Sequence, residues 1–407
     1  MRRPGATARG VIVTAGGRNI VRVEDFHVEG GELVAVIGPS GTGKTTFLRA
    51  LSRIRRRGIR VSGSITVEGS VSIIPQEPWY GVSSPYVATE LSFSGLRIEE
   101  LTSLLRELEL EGKEFKATTS LSAGEAMRLA IASAMASGSE VLLVDEFSSY
   151  LDSESRDASI ELLRREADSG KAVVVVDHSP WIVDYADRVY VSIGSTIREY
   201  SAKDVMEAYR DVYKLLEELA PPKPLDDIVL EARDLKYRYP DSQEILKGVD
   251  VELAKGSIAV VRGRSGSGKS TLLKVLAGVY KPSGGKLSCM CKRLLVPENP
   301  LFFLSEPTVA EELGGDKALA SMVGLEKAFS NPIGVISSGE RRRLALASAF
   351  KRGGEVILVD EPTVGLDPWS AAKILRLLVE LALSGVGIVV ASHSEVLARI
   401  ANRVIEM

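Results

Sequence analysis

Several things are scarce in this chain, and each scarcity excludes something. No stretch approaches the roughly 18 unbroken apolar residues that a helical membrane span requires. Arg2 and Arg3 stand at the start without an apolar core behind them, so no signal peptide is expected. Neither sign of charge dominates: the formal net charge is −3, which leaves no general footprint for nucleic acid. There are two cysteines, Cys289 and Cys291. A lone C-x-C lacks the four ligands of a structural zinc site and cannot hold an iron–sulfur cluster. On a strand the two would share one face, and structural thiols in a reducing compartment are expected. Amides are scarce too, with Gln76 and Gln243 as the two glutamines and four asparagines, a trend of heat-adapted proteins.

What remains is an ordinary folding composition, 45% apolar and 26% charged, in a chain of 407 residues, long enough for two domains. Within it one motif occurs twice. Gly38-Pro39-Ser40-Gly41-Thr42-Gly43-Lys44-Thr45 and Gly263-Arg264-Ser265-Gly266-Ser267-Gly268-Lys269-Ser270 both fit G-x-x-x-x-G-K-[S/T]. Each follows an apolar run and leads, through Thr46 or Thr271, into a helix-like segment. The glycines let backbone N–H groups face phosphate oxygens, and the helix N-terminus adds its positive dipole end. Lys44 and Lys269 are expected on the β- and γ-phosphates, and Thr45 and Ser270 on Mg²⁺. A chance glycine-rich turn does not recur in the same context, so two ATP molecules are expected to bind.

The repeat extends well beyond the loops. Leu121-Ser122-Ala123-Gly124-Glu125 returns as Ile336-Ser337-Ser338-Gly339-Glu340. Val141-Leu142-Leu143-Val144-Asp145-Glu146 returns as Val356-Ile357-Leu358-Val359-Asp360-Glu361. Val176-Asp177-His178 returns as Ala391-Ser392-His393, all at one constant spacing. Strand-like and helix-like runs alternate in both halves, the pattern of a parallel sheet flanked by helices. The expected division is a first domain over 1–201, a linker over 202–227 and a second domain over 228–407. The linker combines a helix, with Val205, Tyr209, Val212, Leu216 and Leu219 at helical spacing, and a stiff Pro221-Pro222-Lys223-Pro224 stretch. That helix is expected to pack on the first domain.

In motif order the chain resembles the ABC ATPase family, with two nucleotide-binding domains in one polypeptide. The resemblance covers almost the whole chain, and its most specific element is the Ser-x-Gly-Glu segment ahead of each Asp-Glu pair. It implies an α/β fold: two tandem P-loop NTPase domains, each with a mainly parallel sheet core, a small antiparallel β part and a helical subdomain. Asp145 and Asp360, ending apolar strands, are expected to hold the Mg²⁺ shell. Glu146 and Glu361 follow directly and would act as general bases on the attacking water. His178 and His393 would contact the γ-phosphate. Ser122, Gly124, Ser337 and Gly339 are implied to face the ATP bound by the opposite domain, so that intramolecular pairing of the domains completes both sites.

The two halves are not identical. Gln76 stands after the strand that precedes the helical part, as a nucleotide and Mg²⁺ contact, and Glu298 occupies its place in the second half. Tyr239 or Tyr237 offers an adenine-stacking ring in the second half, whereas nothing aromatic lies near Asn19-Ile20 in the first. Unequal hydrolysis at the two sites is therefore expected.

Val87-Ala88-Thr89-Glu90-Leu91-Ser92-Phe93 and Thr308-Val309-Ala310-Glu311-Glu312-Leu313-Gly314 resemble segments of the cobalt- and vitamin-type energy-coupling-factor transporter ATPases. That likeness implies ATP hydrolysis driving uptake, with integral-membrane coupling and substrate-binding subunits as partners and a place on the cytoplasmic face of the cell membrane. The alternative is a soluble tandem ABC ATPase acting on ribosomes or nucleic acid. The basic run Arg53–Arg60 is the one feature that argues for RNA; otherwise composition argues against nucleic acid.

Overall fold

A computed structural model describes the chain apart from residues 1–3, 55–57, 77, 93–97, 109, 147, 149–150, 152, 241–242, 265 and 393. Ser265 and His393, both expected at nucleotide sites, thus lie outside the described residues. The chain divides into two compact units, Met1–Asp211 and Val212–Met407.

The first unit is built on a nine-stranded sheet. Its strands are β1 (Gly5–Ala15), β2 (Arg18–Glu29), β3 (Leu33–Ile37), β4 (Ile59–Glu68), β5 (Val71–Ile74), β6 (Val141–Asp145), β7 (Ala172–Asp177), β8 (Arg188–Ile193) and β9 (Thr196–Tyr200). They lie in the order β4-β1-β2-β9-β8-β3-β7-β6-β5. The run β8-β3-β7-β6-β5 is parallel, while β1 pairs antiparallel with β2 and β4. The helices are α1 (Lys44–Leu51), α2 (Val87–Ser92), α3 (Ile98–Glu107), α4 (Ala123–Ala136), α5 (Ser153–Asp168) and α6 (Ala202–Glu218). β3, β6 and β7 are apolar up to their last residues and buried throughout, as strands covered on both faces must be. Their register sets Ile37 opposite Asp177 and Asp145 opposite Val176. The phosphate loop and both acidic strand ends therefore share the carboxyl edge of the sheet, where open α/β sheets bind ligands. Phe47 of α1 packs edge-on to Phe26 of β2, ring centroids 5.0 Å apart, which ties the helix after the loop to the antiparallel strands.

The second unit contains β10 (Ile228–Arg238), β11 (Glu244–Ala254), β12 (Ile258–Arg262), β13 (Gly284–Ser288), β14 (Arg293–Val296), β15 (Val356–Asp360), β16 (Gly387–Ala391) and β17 (Arg403–Glu406). Its helices are α7 (Lys269–Leu276), α8 (Val309–Glu312), α9 (Lys317–Met322), α10 (Ser338–Lys351), α11 (Pro368–Leu383) and α12 (Glu395–Ala398). Here the parallel sheet, β14-β15-β16-β12-β17, is separate from the antiparallel one, β11-β10-β13. In the first unit β9 joins the two parts into one sheet, pairing with β8 on one side and β2 on the other.

The boundary between the compact units falls inside α6, whose Val205, Tyr209, Val212 and Leu216 are all buried. The stretch after it is not a free spacer. Leu225 N–H donates to Lys255 O, Lys255 N–H donates to Asp227 O, and Asn402 Nδ2 donates to Pro222 O, strapping it to the second unit. The thiols expected to be reduced are instead joined: Cys289 and Cys291 form a disulfide, with Cα atoms 5.4 Å apart.

Candidate active sites

Each phosphate loop ends on a glycine held at positive φ, a conformation that side-chain-bearing residues rarely adopt. Gly43 caps α1 with φ 92°, and a Cβ there would stand 2.7 Å from Ile20 O. Gly268 does the same for α7, with φ 102°. Both glycines bring backbone close to a neighbouring strand and leave the helix N-terminus clear, the geometry an anion needs.

The lysines are almost entirely buried, 2% exposed at Lys44 and 7% at Lys269. Lys44 Nζ donates to Gly38 O and Pro39 O at 2.8 and 2.9 Å, and lies 3.7 Å from Glu146 Oε1. Lys269 Nζ donates to Gly263 O and Arg264 O at 2.8 and 3.1 Å, and lies 3.8 Å from Glu361 Oε1. In both units the loop carbonyls and the acidic partner hold the ammonium at the mouth of the loop.

Thr45 Oγ1 donates to Asp145 Oδ1 at 2.8 Å. Burial pushes the Asp145 carboxyl up to about 6; the Thr45 hydrogen bond opposes this and the neighbouring Glu146 charge adds to it. Asp360 is likewise raised to about 6, first by burial, against a hydrogen bond from Ser270 and with the charges of Glu361 and Glu298 adding to it. Asp360 Oδ1 is buried without a hydrogen-bond partner. Such an orphaned oxygen beside a hydroxyl fits Mg²⁺, which takes one or two carboxylates and fills its shell with phosphate and water oxygens. Among the described residues no three His, Cys, Asp or Glu side chains could hold a metal by themselves. Gln76 does not turn to Asp145: its Nε2 donates to Glu146 Oε2 at 2.9 Å.

Glu146 and Glu361 adopt positive φ, 40° and 44°. His178 is buried, its Nδ1 has no hydrogen-bond partner, and Tyr209 of α6 fixes its carbonyl at 3.1 Å. In the second unit Tyr237 is stacked on Tyr280, centroids 5.2 Å apart. Tyr239 instead reaches Thr271 on α7, hydroxyl to hydroxyl 3.1 Å, which sets Tyr239 rather than Tyr237 beside the phosphate loop.

Ser122 and Ser337 are exposed N-caps, each locked in a reciprocal box with Glu125 or Glu340. Gly124 is buried, and a Cβ there would meet Ser155 Oγ at 2.5 Å. Burial alone would raise the Glu125 carboxyl, but Lys113 at 2.7 Å, the Ser122 N–H and Lys116 hold it down at about 2.

Sequence reasoning missed the role of Glu90 and Glu312. Both are buried. Glu90 accepts from the N–H groups of Ser83 and Ser84 and from Ser133 Oγ on α4. Glu312 accepts from the N–H groups of Ser305 and Glu306, from Ser348 Oγ on α10, and from Arg352. Each latches the segment after Gln76 or Glu298 to the helix that the capping box begins. A glutamate recurring in equivalent apolar surroundings was the available signal.

The ABC transporter family profile matches residues 22–149 and 246–364, together more than half of the chain. The chain belongs to this family. It is an ABC ATPase with two ABC domains, and hydrolysis of ATP is the family's reaction. A putative ABC transporter ATP-binding protein of Methanosarcina mazei is 27% identical over 94% of this chain and 89% of its own length. One of Streptomyces avermitilis is 29% identical over 95% and 88%. Among solved structures, an RNase-L Inhibitor matches 97% of this ABC ATPase and 87% of its own chain at TM-score 0.72 and 22% identity. A chain from a complex of archaeal ribosomal stalk protein aP1 and the archaeal ribosome recycling factor aABCE1 does so at TM-score 0.72 and 21% identity. At these identities the likeness is one of fold. What these matches show is the broader ABC family with two ABC domains.

Proposed function

We propose that the chain is a two-site ATP motor in which each site is completed by the signature serine and glycine of the opposite unit. The observation that carries the two-site motor is the twofold recurrence of one arrangement: a buried lysine at the loop mouth, a hydroxyl on an aspartate and a strained glutamate beside them; completion by the opposite unit is what the family resemblance implies. Lys44 and Lys269 bind the β- and γ-phosphates. Thr45 with Asp145, and Ser270 with Asp360, would hold Mg²⁺, which supplies neutralising charge on those oxygens. Glu146 and Glu361 orient the attacking water and take its proton, and His178, with His393 at the equivalent sequence position, faces the γ-phosphate. Ser122 and Gly124, or Ser337 and Gly339, present helix N-terminal amides to the ATP held across from them.

Two recipients of the motion have separate support. Solved tandem ATPases matching 97% of the chain include a recycling factor crystallised with a ribosomal stalk protein, which favours work on ribosomal complexes. Transport is supported by the names of the curated relatives. The segments around Glu90 and Glu312, read from sequence as transporter-like, support it less, because both glutamates are spent inside their own units. The ribosomal reading is thus the better supported, with membrane transporter subunits as the second. Fractionating native lysate separates them: sedimentation with ribosomes in ATP supports the first, and co-purification with a multi-span membrane protein overturns it. In a turnover assay, Glu146→Gln and Glu361→Gln are each expected to lower ATP hydrolysis, by unequal amounts; equal residual rates would remove the asymmetry.

A further inference from the structure

The two glutamates assigned as bases are steadied by different neighbours. In the first unit the donor comes from the β5 side, where Gln76 Nε2 donates to Glu146 Oε2 at 2.9 Å. In the second unit it comes from the β16 side, where Ser392 Oγ donates to Glu361 Oε2 at 2.9 Å. At each position the other unit carries a residue unable to donate. Glu298 stands where Gln76 does, two residues after a strand whose end pairs in the same register: Ile74 with Val144, Val296 with Val359. Asp177 stands where Ser392 does.

Asp177 and Ser392 share one task. Asp177 Oδ1 accepts from Ser179 N–H at 3.0 Å, and Ser392 Oγ accepts from Ser394 N–H at 3.1 Å, closing the same turn. Both side chains are fully buried. The serine hydroxyl then has a hydrogen left for Glu361, whereas a carboxylate has none. Asp177 Oδ2 is buried without a partner, a costly arrangement that turn closure alone does not explain.

We infer that Gln76 and Ser392 are exchanged positioning residues: each holds its unit's base carboxylate, and the Gln76–Asp177 and Glu298–Ser392 pairings are matched sets that set the difference between the sites. This rests on the reading of Glu146 and Glu361 as bases. The glutamates carry backbone strain and each has an ammonium within 4 Å, so a side-chain tether decides which way the carboxylate points.

The test is a pair of reciprocal swaps in the full chain. With the second site silenced by E361Q, Q76E removes the donor in the first unit and is expected to lower the remaining kcat about tenfold, the effect of one lost hydrogen bond to a charged group. Adding D177S supplies a hydroxyl from the other side, and the Q76E/D177S chain is expected to recover most of that loss. With the first site silenced by E146Q instead, S392D is expected to lower the remaining kcat, and E298Q/S392D to restore it. Binding of a fluorescent ATP analogue is expected to stay within about twofold throughout, which separates positioning from misfolding or lost affinity. A single variant without effect, a double variant no better than its single, or a loss confined to nucleotide binding overturns the inference. An E146Q or E361Q chain that hydrolyses ATP like the wild type would overturn instead the reading of the bases.

Discussion

Glu146 and Glu361 show how much of a site resides in single residues. Their positive φ is a conformation that costs a side-chain-bearing residue about 1–3 kcal/mol and persists where its surroundings over-determine it. The sequence showed these residues as an Asp-Glu pair after four apolar positions, because strand burial writes itself as an apolar run. It did not show which neighbour each glutamate would meet, since Gln76 and Ser392 reach them only through strand register. Tyr239 is a similar case: sequence kept Tyr237 as an alternative to it, and the stack of Tyr237 on Tyr280 separates them. A base stacked on an aromatic ring gains about 1–3 kcal/mol. In a chain whose first site is disabled by K44A, Tyr239→Ala is therefore expected to weaken binding of a fluorescent ATP analogue by about tenfold, and Tyr237→Ala by much less.

At the scale of elements, the helix that begins at Ser122 is defined by its cap. The S-x-x-E spacing at 122–125 and 337–340 made the two helix starts legible, since the box is a local hydrogen-bond pattern. The added grip of Lys113 and Lys116 on Glu125 was not, because those lysines arrive from an irregular segment ahead of the helix. Glu125 is held at about 2 against an ordinary 4.5, so its contribution to stability is complete above about pH 4.5 and fades as pH falls towards 2. Glu125→Gln keeps the capping box but removes the charge that Lys113 and Lys116 hold, and is accordingly expected to lower the melting temperature of the first unit by roughly 2–4 °C at pH 7. That gap should narrow steadily when scanned from pH 4.5 down to 2.5; a constant gap would mean that the lysines do not hold the carboxylate. The segments around Glu90 and Glu312 teach the opposite lesson. Their pattern was read as a likeness to transporter ATPases, and it did not show that burial turns both glutamates inward to accept from backbone N–H groups.

For the whole molecule, duplication was the most legible property, because fixed spacing between motifs survives even where residues diverge. The tie of residues 222–227 to the second unit was not legible, since a proline-rich stretch reads as a spacer whether or not its carbonyls are taken. Nor was the continuity of the first unit's sheet, which depends on the short pairing of β2 with β9. The central claim is that neither phosphate loop makes a complete site and that each borrows a signature helix from the other unit. It is tested most directly by ATP retention in a full chain carrying E146Q and E361Q, so that bound nucleotide is not consumed. If the sites are shared, K44A and S337R damage the same one, and adding S337R to K44A leaves retained ATP unchanged. Adding S122R to K44A then abolishes retention. The reverse result, ATP lost with S337R and kept with S122R, would show that each unit completes its own site and would contradict the account.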